Sequence, residues 1–128
     1  MRLLLDTCTF LWIITNAAEL SDSARARFMD ADNDVYLSAL SAWEIAVKHR
    51  LGKLPLPAPA EQFVAQERVQ HGIESLAVDE AATTHLYRLP PLHRDPFDRM
   101  LVCQAIEHGL AIVTPDALIT QYPVRTVW

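Results

Sequence analysis

The sequence predicts an α/β fold whose mostly parallel central sheet is covered by helices on both faces. Three observations lead there. RLLL (2–5) is short, apolar and ended at once by Asp6, the pattern of a buried strand, and VYLS (35–38) and LAIVT (110–114) are further apolar runs of strand length. Segments with helical start and stop signals separate these runs, and strands alternating with helices imply parallel strands joined by helical crossovers. The chain has 128 residues, 51% of them hydrophobic, enough for one compact core.

The elements follow in order. After RLLL, TFLWII (9–14) begins a helix. SDSARARFMDAD (21–32) has capping serines and a helical body. VYLS is the second strand, and SAWEIAVKHRLGK (41–53) is a helix closed by Gly52. LPLPAPA (54–60) is a proline-rich linker, followed by a helix in AEQFVAQERVQHG (60–72) that ends at Gly72. SLAV (75–78) is a short strand, DEAATTHLYRL (79–89) a helix, and PPLHR (90–94) breaks it. PFDRMLVCQAIEHG (96–109) is a helix stopped by Gly109; LAIVT and VRTVW (124–128) supply the last strands. Residues 1–128 are expected to form a single domain, without repeats.

Composition narrows the function classes. In MRLLLDT a charge follows only three leucines, so no secretory signal is expected. No apolar run approaches the roughly 20 residues of a membrane span. Cys8 and Cys103 match no zinc or CxxC spacing and are expected to be reduced thiols of a cytoplasmic protein. A net charge of -5 argues against a broad nucleic-acid surface, but carboxylates gathered around a metal are neutralised in use. The cations fall partly into two groups, Lys48, His49, Arg50 and Lys53, then Arg88, His93, Arg94 and Arg99. Ordinary solvated surface accounts for them equally well.

The acids are more informative. In parallel α/β sheets ligands bind beyond the carboxyl ends of the strands. Asp6 follows the first strand, Glu44 lies in the helix after the second, Asp98 opens the helix before LAIVT, and Asp116 lies just past that strand. Each has a structural reading. Asp6 suits a helix N-cap, Ser41-x-x-Glu44 a capping box, Asp95-Pro-Phe-Asp98 a cap with a first-turn acid, and Asp116 the start of a turn before ALITQY. Singly these readings are the simpler ones. Together, four carboxylates on one sheet edge repel one another unless cations join them. Oxygen-only ligands suit Mg²⁺ or Mn²⁺. Such ions activate water and stabilise a phosphodiester transition state, so the joint pattern points to metal-assisted phosphodiester hydrolysis.

The motifs LLLDT (3–7), SAWEIAVKHRLGKL (41–54), HRDPFDRMLVCQA (93–105) and VTPD (113–116) occur in one order across nearly the whole chain, and there the sequence resembles the PIN domains, more narrowly the VapC-type toxin ribonucleases. The resemblance implies a PIN-like α/β/α sandwich and a Mg²⁺- or Mn²⁺-dependent endoribonuclease. It also implies RNA as substrate, a VapB-type antitoxin as partner, a homodimer, and contact with DNA only through the antitoxin. It carries the metal and catalytic roles onto Asp6, Glu44, Asp98 and Asp116, with Glu44 acting directly or through water. Asp95 is assigned to capping, with a metal contact left open. Cys8 stands where many relatives carry histidine.

Thr7 and Thr114 are placed to hydrogen-bond the carboxylates, though both also suit strand ends. Ser38 and Ser41 either orient Glu44 or cap. None of the five histidines has metal-ligand spacing. Trp12, Trp43 and Phe97 are expected in the core or a subunit interface rather than as base-stacking platforms. A phosphoryl-aspartate receiver would need paired acids after the first strand and a late lysine, yet no lysine follows position 53. A haloacid-dehalogenase-type phosphatase would need DxD where DTC stands. A non-catalytic PIN scaffold would not need all four acids.

Overall fold

A computed structural model describes residues 1–128. The element order is β1 (Arg2–Leu5), α1 (Thr7–Thr15), α2 (Asp22–Met29), β2 (Asp34–Ser38), α3 (Ala39–Arg50), α4 (Ala60–His71) and β3 (Glu74–Leu76), then α5 (Glu80–His85) running into a 3₁₀ turn (Leu86–Arg88), α6 (Pro96–His108), β4 (Ala111–Val113), α7 (Ala117–Thr120) and β5 (Thr126–Val127). The strands pair in the order β3-β2-β1-β4-β5. Every pairing is parallel, so the expected mostly parallel sheet is parallel throughout.

Side chains alternate across this sheet and feed two cores. Leu3, Leu5, Val35, Leu37, Ala111 and Val113 pack with Phe10 and Ile13 of α1, Ile45 of α3 and Phe63 and Val64 of α4. Leu4 and Ile112 face the other way, onto Leu101, Val102 and Ala105 of α6, Ile119 of α7 and Tyr122. With both faces covered, β1 reads as an unbroken apolar run rather than an alternating one. Leu3, Leu4 and Leu5 are fully buried, each contributing about 1.5–3 kcal/mol through removal from water.

The structure differs from the sequence-based expectations at several ends. α1 starts at Thr7, because the Asp6 side chain caps it. α3 starts at Ala39, not residue 41. Ser38 has the extended backbone of an N-cap and its hydroxyl accepts the Leu40 N–H. The Ser41-x-x-Glu44 capping box is therefore not formed: both residues lie inside the helix, and Ser41 Oγ is buried without a partner. The helix expected over 79–89 tightens to 3₁₀ after His85 and stops at Leu89, whose extended backbone suits the residue before Pro90. A one-turn helix, α7, forms where a turn was expected, capped by Asp116. The edge strands β3 and β5 are shorter than the apolar runs that suggested them. In the linker at 54–60, Leu54, Leu56 and Ala58 pack against the first core. α4 likewise buries Phe63 and Val64 while leaving Val69 exposed.

Candidate metal centre

β1 lies between β2 and β4. The chain builds outward from β1 in one direction through β2 and β3, then returns to its other side with β4 and β5. The crevice beyond the ends of β1 and β4 is thus the topological switch point, where open α/β sheets place their ligands. Leu5 is in register with Val113, so the next residues, Asp6 and Thr114, face one another across that crevice. Thr114 Oγ1 donates to Asp6 Oδ2 at 2.5 Å. The other oxygen, Oδ1, accepts the Thr9 N–H at 2.7 Å as the cap of α1. Thr9 Oγ1 donates to the Val113 carbonyl at 2.9 Å, tying α1 to β4 beside the site. Asp6 is 6% exposed and has no salt-bridge partner among the chain's ion pairs. Burial pushes its pKa up; the hydrogen bonds from Thr114 and Thr9 oppose this, and the Asp116 charge adds to it.

Glu44 lies inside α3 and is buried. Thr7 Oγ1 donates to its Oε1 at 2.6 Å, and Lys48 Nζ, one turn along, sits 2.6 Å from Oε2. The hydrogen bond to Glu44 raises the Lys48 pKa, keeping the ammonium charged. Asp98 lies in the first turn of α6. Asp95 caps that helix, its Oδ1 accepting the N–H groups of Phe97 at 2.9 Å and Asp98 at 3.2 Å, with Pro96 at the first helical position. Asp98 is pushed up to about 6, first by burial and then by the Asp95 charge, with Asp116 adding to it and His93 opposing. Asp116 caps α7 by accepting the Leu118 N–H at 2.9 Å, and its own N–H donates to Thr114 Oγ1 at 3.1 Å.

The four acids share one neighbourhood. The Asp116 charge is felt at both Asp6 and Asp98. The Cys8 thiol is held up by burial and by the charges of Asp6, Glu44 and Asp98 together. Cys8 and Cys103 are both free thiols. No three His, Cys, Asp or Glu side chains meet in a ready-made metal cage; the acids form a looser cluster along the sheet edge. Their chemistry nonetheless fits a hard divalent cation: carboxylate oxygens only, with Asp6 buried and no basic side chain paired to it. The volume of about 500 Å³ enclosed near Met1, Arg2, Gly109 and Arg125 lies at the opposite, amino end of the sheet and holds none of these groups.

Sequence reasoning anticipated the hydroxyls of Thr7 and Thr114 on the carboxylates. It missed Lys48, although a Glu–Lys pair four residues apart on a helix is a recognisable signal. It also missed the contact of His93 Nε2 with Asp98 Oδ2 at 3.3 Å, for which no local signal exists. The Ser38 hydroxyl bonds not to Glu44 but to the fully buried Gln104, donating to its Oε1 at 2.6 Å. Trp43 is 59% exposed, so it is not core; its ring lies against Phe97 with centroids 5.3 Å apart.

The chain matches the PIN domain family across residues 3–124. It belongs to that family. This PIN domain is similar to Ribonuclease VapC16 of Mycobacterium tuberculosis, 45% identical over 69 residues, which are 54% of this chain and 49% of that protein. The matched stretch thus spans about half the length of that relative. Ribonuclease VapC22 of the same organism is 28% identical over 130 aligned positions, covering 98% of this chain and 97% of that one. Among solved structures, VapBC2 from Rickettsia felis, bound to a DNA fragment from its promoter, superposes with a TM-score of 0.73 at 15% identity, over 99% of this chain and 98% of that one. DNA-bound VapBC from Salmonella typhimurium gives 0.71 at 20% identity, over 99% and 97%. At these identities the structures establish a shared fold. No helix of the PIN domain is long and apolar enough to cross a membrane.

Proposed function

We propose that this PIN domain is a metal-dependent endoribonuclease and the toxin of a VapBC-type toxin–antitoxin pair. In this reading Asp6, Glu44, Asp98 and Asp116 hold Mg²⁺ or Mn²⁺, and a VapB-type antitoxin neutralises the enzyme. The observation that carries it is the position of the four carboxylates, brought by four different segments to the switch-point edge of the sheet, with Asp6 buried and paired with no basic side chain. The names of the two ribonuclease relatives support the activity, and the VapBC complexes that share the fold support the antitoxin partner. DNA contact would come through the antitoxin. The protein would work in the cytoplasm as a homodimer.

A bound divalent ion would activate water and stabilise the charge that develops on the scissile phosphate. The chain's own residues supply the rest. Thr114 and the Thr9 N–H hold the Asp6 carboxylate in one orientation. Thr7 does the same for Glu44. Lys48, half exposed and kept charged by Glu44, offers an ammonium to an RNA phosphate, and Arg94 and Arg99 steer the backbone toward the acids. The test is cleavage of total cellular RNA with Mg²⁺ or Mn²⁺, with EDTA, and with Asp6→Asn. Metal-dependent cutting that EDTA and the substitution both abolish is the expected result. Equal cutting by Asp6→Asn removes Asp6 from the site.

A further inference from the structure

Tyr122 and His93 are 29 positions apart, yet the Tyr122 hydroxyl touches His93 twice: the His93 backbone N–H donates to it at 3.1 Å, and His93 Nδ1 lies 2.7 Å away. The opposite ring nitrogen, Nε2, faces Asp98 Oδ2 at 3.3 Å. The imidazole side chain is 9% exposed, Tyr122 is 3% exposed, and the two rings pack with centroids 5.3 Å apart. The ring is therefore held at both nitrogens and on one face.

This arrangement selects a tautomer. A phenol has one proton to donate and can also accept. Its oxygen already accepts the His93 backbone N–H, so its own proton is free for Nδ1. Nδ1 is then the acceptor, and a neutral imidazole with an acceptor at Nδ1 carries its hydrogen on Nε2. That hydrogen points at Asp98. The other neutral tautomer would set a lone pair against a carboxylate oxygen inside a poorly solvated cleft, which is unfavourable.

We infer that His93 is a positioning residue for the metal centre: Tyr122 fixes it as the Nε2–H tautomer, and in that form it aims the Asp98 carboxylate at the site. The consequence for metal rests on the reading of Asp98 as a ligand; the tautomer does not. Groups that orient a metal-binding carboxylate typically change metal affinity about 10–100-fold when removed.

Two measurements on the full chain test this. Long-range ¹H–¹⁵N correlation of the imidazoles, without metal, is expected to show His93 with a pyrrole-type Nε2 and a pyridine-type Nδ1. In Asp98→Ala, where Tyr122 alone faces the ring, that pattern is expected to persist. A pyrrole-type Nδ1 in the native protein, or a mixture of tautomers in Asp98→Ala, overturns the inference. Calorimetric titration with Mn²⁺, without RNA, supplies the second readout. His93→Ala is expected to bind about 10-fold or more weakly, whereas His93→Gln, whose amide nitrogen sits where Nε2 does, recovers most of the affinity. Equal affinity in native, His93→Ala and His93→Gln, with Asp98→Asn clearly weakened, overturns the positioning role while leaving Asp98 a ligand. Native affinity in Asp98→Asn itself removes Asp98 from the metal centre, and the nitrogen shifts then decide the tautomer alone. Thermal melts of each variant separate unfolding from loss of alignment.

Discussion

Thr114 donates its hydroxyl to Asp6 across the crevice between β4 and β1, at 2.5 Å, and the same oxygen accepts the Asp116 N–H. One threonine thus fixes one candidate ligand by its side chain and the approach to a second by its backbone neighbour. Thr114→Val keeps the shape and removes both bonds. It should fold, at a cost of about 1–3 kcal/mol for the buried groups left unpaired. Because the Thr114 bond is the strongest of the hydrogen bonds that lower the Asp6 pKa against burial, its loss raises that pKa further, and the acid limb of the pH–rate profile for RNA cleavage should move to higher pH. A limb that stays in place shows that Asp6 ionisation does not govern the rate.

Asp98 sets a trade between stability and activity. Its pKa rises from 3.8 to about 6 on folding. Between those values the folded chain binds more protons than the unfolded one, so this group's contribution to stability falls as pH rises through the window and is lost above it. At pH 7.5, without metal, Asp98→Asn should therefore stabilise the protein by about 1 kcal/mol, allowing for solvent screening of a partly exposed side chain. The same substitution should abolish cleavage. Denaturant melts with EDTA, paired with an RNA assay, check both; a destabilised Asp98→Asn contradicts the sign.

Asp95 behaves differently, because its visible task is to cap α6. Asp95→Asn should keep the cap and most of the activity, since asparagine caps equally well. It also removes a negative charge that raises the Asp98 pKa, so the acid limb should move to lower pH. Asp95→Ala should lose about 1 kcal/mol of stability. An inactive, fully folded Asp95→Asn would make Asp95 a ligand.

Lys48 pairs with Glu44, and with Glu44 read as a metal ligand the two cations compete for one carboxylate. Lys48→Gln leaves the cluster more negative, so Mn²⁺ should bind several-fold tighter in calorimetry. RNA should bind more weakly, with KM raised and the salt dependence of binding reduced by about one phosphate contact. Parallel changes in metal affinity and KM would point to general disruption of α3 instead.

Inhibition by an antitoxin can exploit the same charge. Clustered carboxylates without metal attract an inserted arginine, which pairs with two oxygens at once. On that mechanism Mn²⁺ and antitoxin compete: titrating Mn²⁺ into the complex should weaken antitoxin affinity and restore cleavage. Unchanged affinity at saturating Mn²⁺ leaves blocked RNA access as the mechanism.

The features legible in the sequence are those whose cause is local. Asp-Pro-Phe-Asp shows both a cap and a first-turn acid, and α6 begins as that spacing requires. The apolar runs ending in Asp6 and VTPD mark strand ends, and the sheet follows from their alternation with helices. Ser38 and Ser41 compete for one cap, and only the residue at the strand end, in extended backbone, can take it; periodicity does not distinguish them. α7 is a single turn, too short for any periodic signal. The His93–Tyr122 contact joins residues from separate segments that meet only in the folded state, and Gln104 is buried beneath Ser38 for the same non-local reason.

Strand order carries a consequence for biosynthesis. β4 is the fourth strand to be made, yet it fills the place beside the first, and Asp6 waits for a hydroxyl 108 positions downstream. A nascent chain that has reached residue 110 already contains Asp6, Glu44 and Asp98 but lacks both Thr114 and Asp116. Long-range pairings of this kind form only after the intervening loop is closed. The candidate centre therefore stays unassembled until the segment carrying Thr114 and Asp116 has joined the sheet beside β1.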